Sequence, residues 1–181
     1  MSLVRVLNSL SEEQARSDLT RCCGARGWVS AMLRARPFES DEQVLELATQ
    51  IWGGLGPSDW LEAFAQHPRI GQLGEGERAA GATREWAARE QAGALTASAA
   101  VRAEFALANR RYEERFGHVF LICATGRSAA EMRDALEARM GNDPEEELRV
   151  AAGEQAKITH LRLLRLADTT WPTTPGNGDA H

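Results

Sequence analysis

Four stretches of this chain carry the mark of a helix start. Ser11 with Gln14, Ser40 with Gln43, Ser128 with Glu131 and Asp143 with Glu146 each set a short oxygen-bearing side chain three residues ahead of a Glu or Gln. The first side chain accepts from an orphan backbone N–H of the opening turn, and the Glu or Gln reaches back, so both ends of the motif close locally. Pro144 follows Asp143 at the first helical position, where a missing N–H costs nothing. Stops are marked too: Gly24, Gly53-Gly54, Gly93, Gly117 and Gly141 stand where helices should end. These signals divide the chain into helices near 11–23, 26–35, 41–52, 58–66, 84–93, 97–116, 129–140 and 144–167. Aromatic residues are only 6% of a chain rich in alanine and arginine, a balance that favours helix over strand. The sequence therefore predicts an all-α fold, a single-domain helical bundle of about eight helices over residues 1–167. Residues 168–181, with Pro172, Pro175, Gly176 and Gly178, read as a disordered C-terminal tail.

One segment departs from this pattern. Val119-Phe120-Leu121-Ile122-Cys123 is apolar and strand-prone, between Gly117 and Gly126. No second convincing strand exists to pair with it, and unpaired buried backbone is costly. The segment near 118–124 is thus either a strand completed by a second subunit or an extended connection whose backbone groups find other partners, a bound polar ligand among them. By contrast Val101, Phe105, Ala108, Tyr112 and Phe116 repeat at helical spacing and read as core.

Composition excludes several functions. A length of 181 residues suits one core, and a net charge of −5 supplies no field for nucleic acid. The basic pair Arg110-Arg111 alternates with Glu113 and Glu114, as on a solvated helix face. Three cysteines, two of them adjacent, make no disulfide framework, and there is no apolar run of membrane length and no signal-peptide core at the start. A cytoplasmic protein without a membrane partner is the reading. His67, His118, His160 and His181 have no ligand spacing with Cys, Asp or Glu, so no metal is expected. The glycines of 71–76 match no phosphate-binding loop and lie beside Glu75 and Glu77, and no Gly-x-Ser-x-Gly elbow is present.

Three residues remain as chemistry candidates. His67 precedes Pro68, which pushes it out of the α region and presents its ring at a helix end, a placement suited to proton transfer though also common for a capping group. Glu90 shares a helical face with Trp86. A carboxylate beside an indole is most often a surface pair and otherwise a partly buried acid. Arg162 shares a face with Gln155, Ile158, Thr159 and Leu166, so it should be partly buried and in need of an anionic or hydrogen-bonding partner, either a protein glutamate or a substrate anion.

With these residues in place the chain resembles the OHCU decarboxylases, which act on 2-oxo-4-hydroxy-4-carboxy-5-ureidoimidazoline. The resemblance rests on His67-Pro68-Arg69-Ile70-Gly71, Glu90-Gln91-Ala92-Gly93, Asn109 through Gly117, Phe120-Leu121-Ile122 through Gly126-Arg127-Ser128, and Ile158-Thr159-His160-Leu161-Arg162-Leu163, in order over residues from about 5 to 166. It implies an all-helical, cofactor-free and homodimeric enzyme that removes CO2 from this ureidoimidazoline to give (S)-allantoin in urate breakdown. It places the catalytic histidine on His67, the glutamate on Glu90 and the arginine on Arg162. It places substrate contacts on Pro68, on Ala87, Ala88, Arg89, Glu90 and Gln91, and on His118, Val119, Phe120, Leu121 and Ile122. One position departs: a substrate-contacting serine of the family is Ala87 here. That loss favours a rival reading, a non-catalytic helical relative that binds a ligand or partner. The joint presence of His67, Glu90 and Arg162 opposes it.

Overall fold

The computed structural model describes residues 1–70, 86, 89–92 and 98–168. Among them eight helices follow one another: α1 Leu3–Ser9, α2 Glu12–Cys22, α3 Arg26–Arg34, α4 Asp41–Gly53, α5 Pro57–Phe64, α6 Ala99–Phe116, α7 Ala129–Arg139 and α8 Pro144–Leu166. The described residues contain no strand. The protein is all-α, as its helix signals imply. The helix expected over 84–93 is described only in part, with Trp86, Arg89, Glu90 and Ala92 on helical backbone. Most of the loop expected over 67–83 and nearly all of the expected tail lie outside the described residues.

The caps form as the spacing requires. Ser11 with Gln14 and Ser128 with Glu131 make reciprocal capping boxes, and Ser40 accepts from the backbone N–H of Gln43. Asp143 instead accepts from Glu145, one residue earlier than its box spacing, above Pro144 at the first helical position. Gly117 ends α6 in the left-handed region, at φ 76°, and its N–H reaches Glu113 O at 2.8 Å. The sequence reading lacks α1. That helix has no side-chain cap and is only seven residues long; it is held by burial of Leu3 and Leu7 and by the Val4 N–H, which donates to Asp41 Oδ1 at 2.7 Å.

Two apolar clusters form. The larger joins α1 to α5 and α8 through Leu3, Leu19, Trp28, Met32, Trp52, Phe64 and Leu163. Two of its indoles are anchored: Trp28 Nε1 donates to Ala48 O at 3.0 Å and Trp52 Nε1 to Ala152 O at 2.9 Å. The smaller lies between α6 and α7 and holds Phe105, Tyr112, Met132 and Leu136.

The segment after α6 runs between the two clusters. Val119, Leu121 and Cys123 pack on the larger one, while Phe120, Ile122 and Ala124 pack on the smaller. This two-residue alternation is that of an extended chain. Helix side chains answer its backbone in place of a second strand. Arg139 Nη1 donates to Leu121 O at 2.8 Å, and the Cys123 N–H donates to Glu154 Oε2 at 2.7 Å. Arg139 is itself fixed by Glu147, which is fully buried and also accepts from Asn142 Nδ2 at 2.7 Å and from the Tyr112 hydroxyl. Two backbone groups of the segment, the Leu121 carbonyl and the Cys123 N–H, thus have partners within the chain.

Candidate active site

His67 stands three residues past α5. Its N–H donates to Phe64 O at 3.0 Å in a last turn, and Pro68 prevents the helix from continuing. The loop beyond is tied to α6 at two points. Arg69 makes a two-pronged ion pair with Glu113, at 2.6 and 2.8 Å, and Asn109 Nδ2 donates to Ile70 O at 3.1 Å. The His67 ring is partly buried, against α8. Loss of hydration, followed by the nearby positive charge of Arg162, drives its pKa down to about 3, against the opposing contact with Gln155. The ring is neutral at physiological pH.

Glu90 is 8% exposed, so the commoner surface reading of a carboxylate beside Trp86 does not hold. The cause is a partner 72 residues away. Arg162 Nε and Nη2 donate to its two oxygens at 3.0 and 2.9 Å. Arg162 is 2% exposed, and its Nη1 donates to Arg21 O at 3.1 Å. Its partner is therefore the protein's own glutamate. A second cation, Arg165, donates from Nη1 to Glu90 Oε1 at 2.7 Å. Sequence reasoning missed Arg165; its position three residues after Arg162 on one helix was the available signal.

His67 and Glu90 border one cleft. His67, Pro68 and Ile70 form one side, Glu90 and Gln91 another, and Ile158 and Leu161 of α8 the floor. The extended segment contributes Phe120, Leu121 and Ile122 and continues through Cys123, Ala124 and Thr125, which sequence reasoning had not included. Arg162 lies behind Glu90 and outside this lining, and Arg89 is exposed. The His118 ring packs against Phe64 and Tyr112, at centroid separations of 5.3 and 5.5 Å, and Val119 faces the larger core. Ala87 and Ala88 lie outside the described residues. Among the described residues no three His, Cys, Asp or Glu side chains are grouped as metal ligands would be.

A neutral imidazole and a carboxylate held by two arginines thus face one cleft. The arrangement suits proton transfer to and from a small polar molecule.

The sequence model of OHCU decarboxylase matches residues 8–164. The chain belongs to the OHCU decarboxylase family. It is 36% identical over 139 residues to the mouse (Mus musculus) 2-oxo-4-hydroxy-4-carboxy-5-ureidoimidazoline decarboxylase, covering 76% of each protein. It is 38% identical over 146 residues to the Arabidopsis thaliana uric acid degradation bifunctional protein TTL, covering 80% of this chain and 45% of that protein, so it spans less than half the length of this relative. The crystal structure of an OHCU decarboxylase in the presence of (S)-allantoin superposes with a TM-score of 0.71 at 35% identity, covering 87% of this chain and 98% of the other. The family match encloses His67, Glu90 and Arg162.

Proposed function

We propose that this chain decarboxylates 2-oxo-4-hydroxy-4-carboxy-5-ureidoimidazoline to (S)-allantoin in urate breakdown. The observation that carries this reading is the single cleft shared by His67 and Glu90, with Arg162 bound to Glu90 from behind. The substrate needs no cofactor. When its C–CO2 bond breaks, the electron pair forms a C=C bond and the neighbouring C=N pair moves onto the ring nitrogen, which takes a proton from water. The hydroxyl proton must then leave and a proton must reach the ureido-bearing carbon, giving the ketone and the new stereocentre. The protein supplies orientation and this second proton movement.

In this reading His67 carries the proton. Glu90, with three charge-assisted donors on its oxygens, serves to orient the substrate and to tune His67. Arg162 acts through Glu90 and through its charge. An anionic substrate in the cleft offsets that charge and raises the affinity of His67 for a proton at the moment it is needed. Pro68, Gln91 and the backbone of Phe120 to Ile122 contact the substrate, and the stretch Ala87 to Arg89 and the residues His118 and Val119 complete the family's set of contacts. A homodimer in the cytoplasm is part of the same proposal. It rests on the family, because the extended segment finds its backbone partners within the chain. Sedimentation at micromolar concentration should give a dimer; a monomer alone would end that part.

The test uses freshly generated substrate and circular dichroism of the product. Protonation without an enzyme has no preferred face, so only catalysis yields optically active allantoin. His67→Asn should fold and lose roughly 10²–10⁴-fold in rate. Activity should survive a chelator. Racemic product from the wild-type protein would show instead a non-catalytic binding relative.

A further inference from the structure

Gln155 lies on α8 with no exposed surface, and its side chain lies within reach of the His67 ring. Its amide direction follows from its other neighbours. The Cys22 carbonyl can only accept, and the Thr159 hydroxyl donates to it across 3.5 Å. The Thr159 oxygen then accepts from Gln155 Nε2 at 3.0 Å. That leaves Gln155 Oε1 directed away from Thr159, buried and without a full hydrogen bond among the described residues. A buried amide oxygen in that state is costly, and the imidazole N–H beside it is the donor at hand.

The geometry points to Gln155 as a positioning residue that holds the His67 ring with its N–H toward Oε1 and its bare nitrogen toward the cleft. This rests on the reading of His67 as the proton-transfer group, and it fixes the order of events. His67 begins as a base. Its bare nitrogen takes the hydroxyl proton of the substrate once CO2 has departed and then returns that proton to the ureido-bearing carbon. Through both steps the opposite N–H stays on Gln155. The line from the Cys22 carbonyl through Thr159 and Gln155 to His67 is the neutral counterpart of the carboxylate that orients histidine in many hydrolytic sites. A neutral orienting group fits here because the charged groups facing the ring are already present: Arg162 from α8 and, across the cleft, Glu90, with the Cys123 thiol on the extended segment.

The experiment combines ring nitrogen NMR on 15N-histidine-labelled protein with pH profiles of allantoin formation. Wild-type His67 should give a single neutral tautomer. Gln155→Leu should mix the two tautomers and lower kcat roughly two- to tenfold with KM nearly unchanged. Gln155→Glu keeps the acceptor, so it should keep the single tautomer, but its charge should move the acid limb of kcat/KM up in pH. A tautomer mixture in the wild-type protein would overturn the inference, and this holds even if Gln155→Leu fails to fold. So would unchanged ring signals in Gln155→Leu, an effect confined to KM, or an unmoved acid limb in Gln155→Glu. The NMR arm needs no turnover. A wild-type protein inert on the ureidoimidazoline would therefore refute the proposed reaction and leave the ring orientation separately decided.

Discussion

Replacing Arg162 by Met removes the cation that brings Glu90 inside, while keeping most of the side-chain volume. Removing one member of a buried pair costs about 3–5 kcal/mol, because the other charge is left uncompensated. Here Arg165 keeps its 2.7 Å contact with Glu90 Oε1, so the lower end of that range applies. The Arg21 carbonyl also loses its 3.1 Å donor. A cost of about 3 kcal/mol in a chain of this size lowers the melting temperature by roughly 6–12 °C. Thermal unfolding followed by far-ultraviolet circular dichroism measures it. The companion is the double variant Glu90→Leu with Arg162→Met, in which neither charge remains. It should melt above Arg162→Met alone, since no buried carboxylate is left and Arg165, only part-buried, keeps its contact with Thr125. A third readout is His67. Loss of the Arg162 charge removes one of the two causes of its low pKa, so its proton NMR titration should move up from about 3. A single variant that melts within about 2 °C of wild type would refute the account of Glu90 burial. A double variant that melts below the single one would do the same.

Three further outcomes follow from contacts already described. Arg139→Leu strips both the Leu121 carbonyl and the fully buried Glu147 of a donor, and chemical denaturation should show a loss of about 3–5 kcal/mol. Gly117→Ala meets no atom within 4 Å, so its cost is that of the left-handed backbone alone, about 1–2 kcal/mol, and Gly117→Asn should cost less. Stability should fall with acid: His67 binds a proton near pH 6.5 when unfolded and near 3 when folded, so the unfolded chain holds more protons between those values. The loss sets in as pH drops through 6.5 and ends below 3, with a slope of at most about 1.4 kcal/mol per pH unit from this one group. His67→Asn should flatten that slope; an unchanged slope would remove His67 as its source.

What the sequence made legible was what it encodes locally. Ser11, Ser40 and Ser128 cap helices with groups three residues away, so their marks survive without knowledge of the fold. Helix α1 was not legible, because its start is held by Asp41 from another helix. The burial of Glu90 was hidden for the same reason, its partners lying on α8. His67 was visible through Pro68, whereas Gln155 became informative only once Thr159 and Cys22 were seen beside it. The isolation of the 118–124 segment could be read from residues alone. Its supports, Arg139 and Glu154, could not, since nothing in their own neighbourhoods distinguishes them from surface charges.

The alternation along 119–124 makes that stretch sensitive to number more than to kind. Swapping one apolar residue for another of similar volume leaves each side chain on its own core. Adding or deleting a single residue exchanges every side chain between the two cores at once, and shifts the Leu121 carbonyl from Arg139 and the Cys123 N–H from Glu154 in the same stroke. A helix end beside it can gain or lose a residue by fraying, but this stretch has no such slack. Length variation is thus tolerable on either side of the cleft wall and forbidden within it.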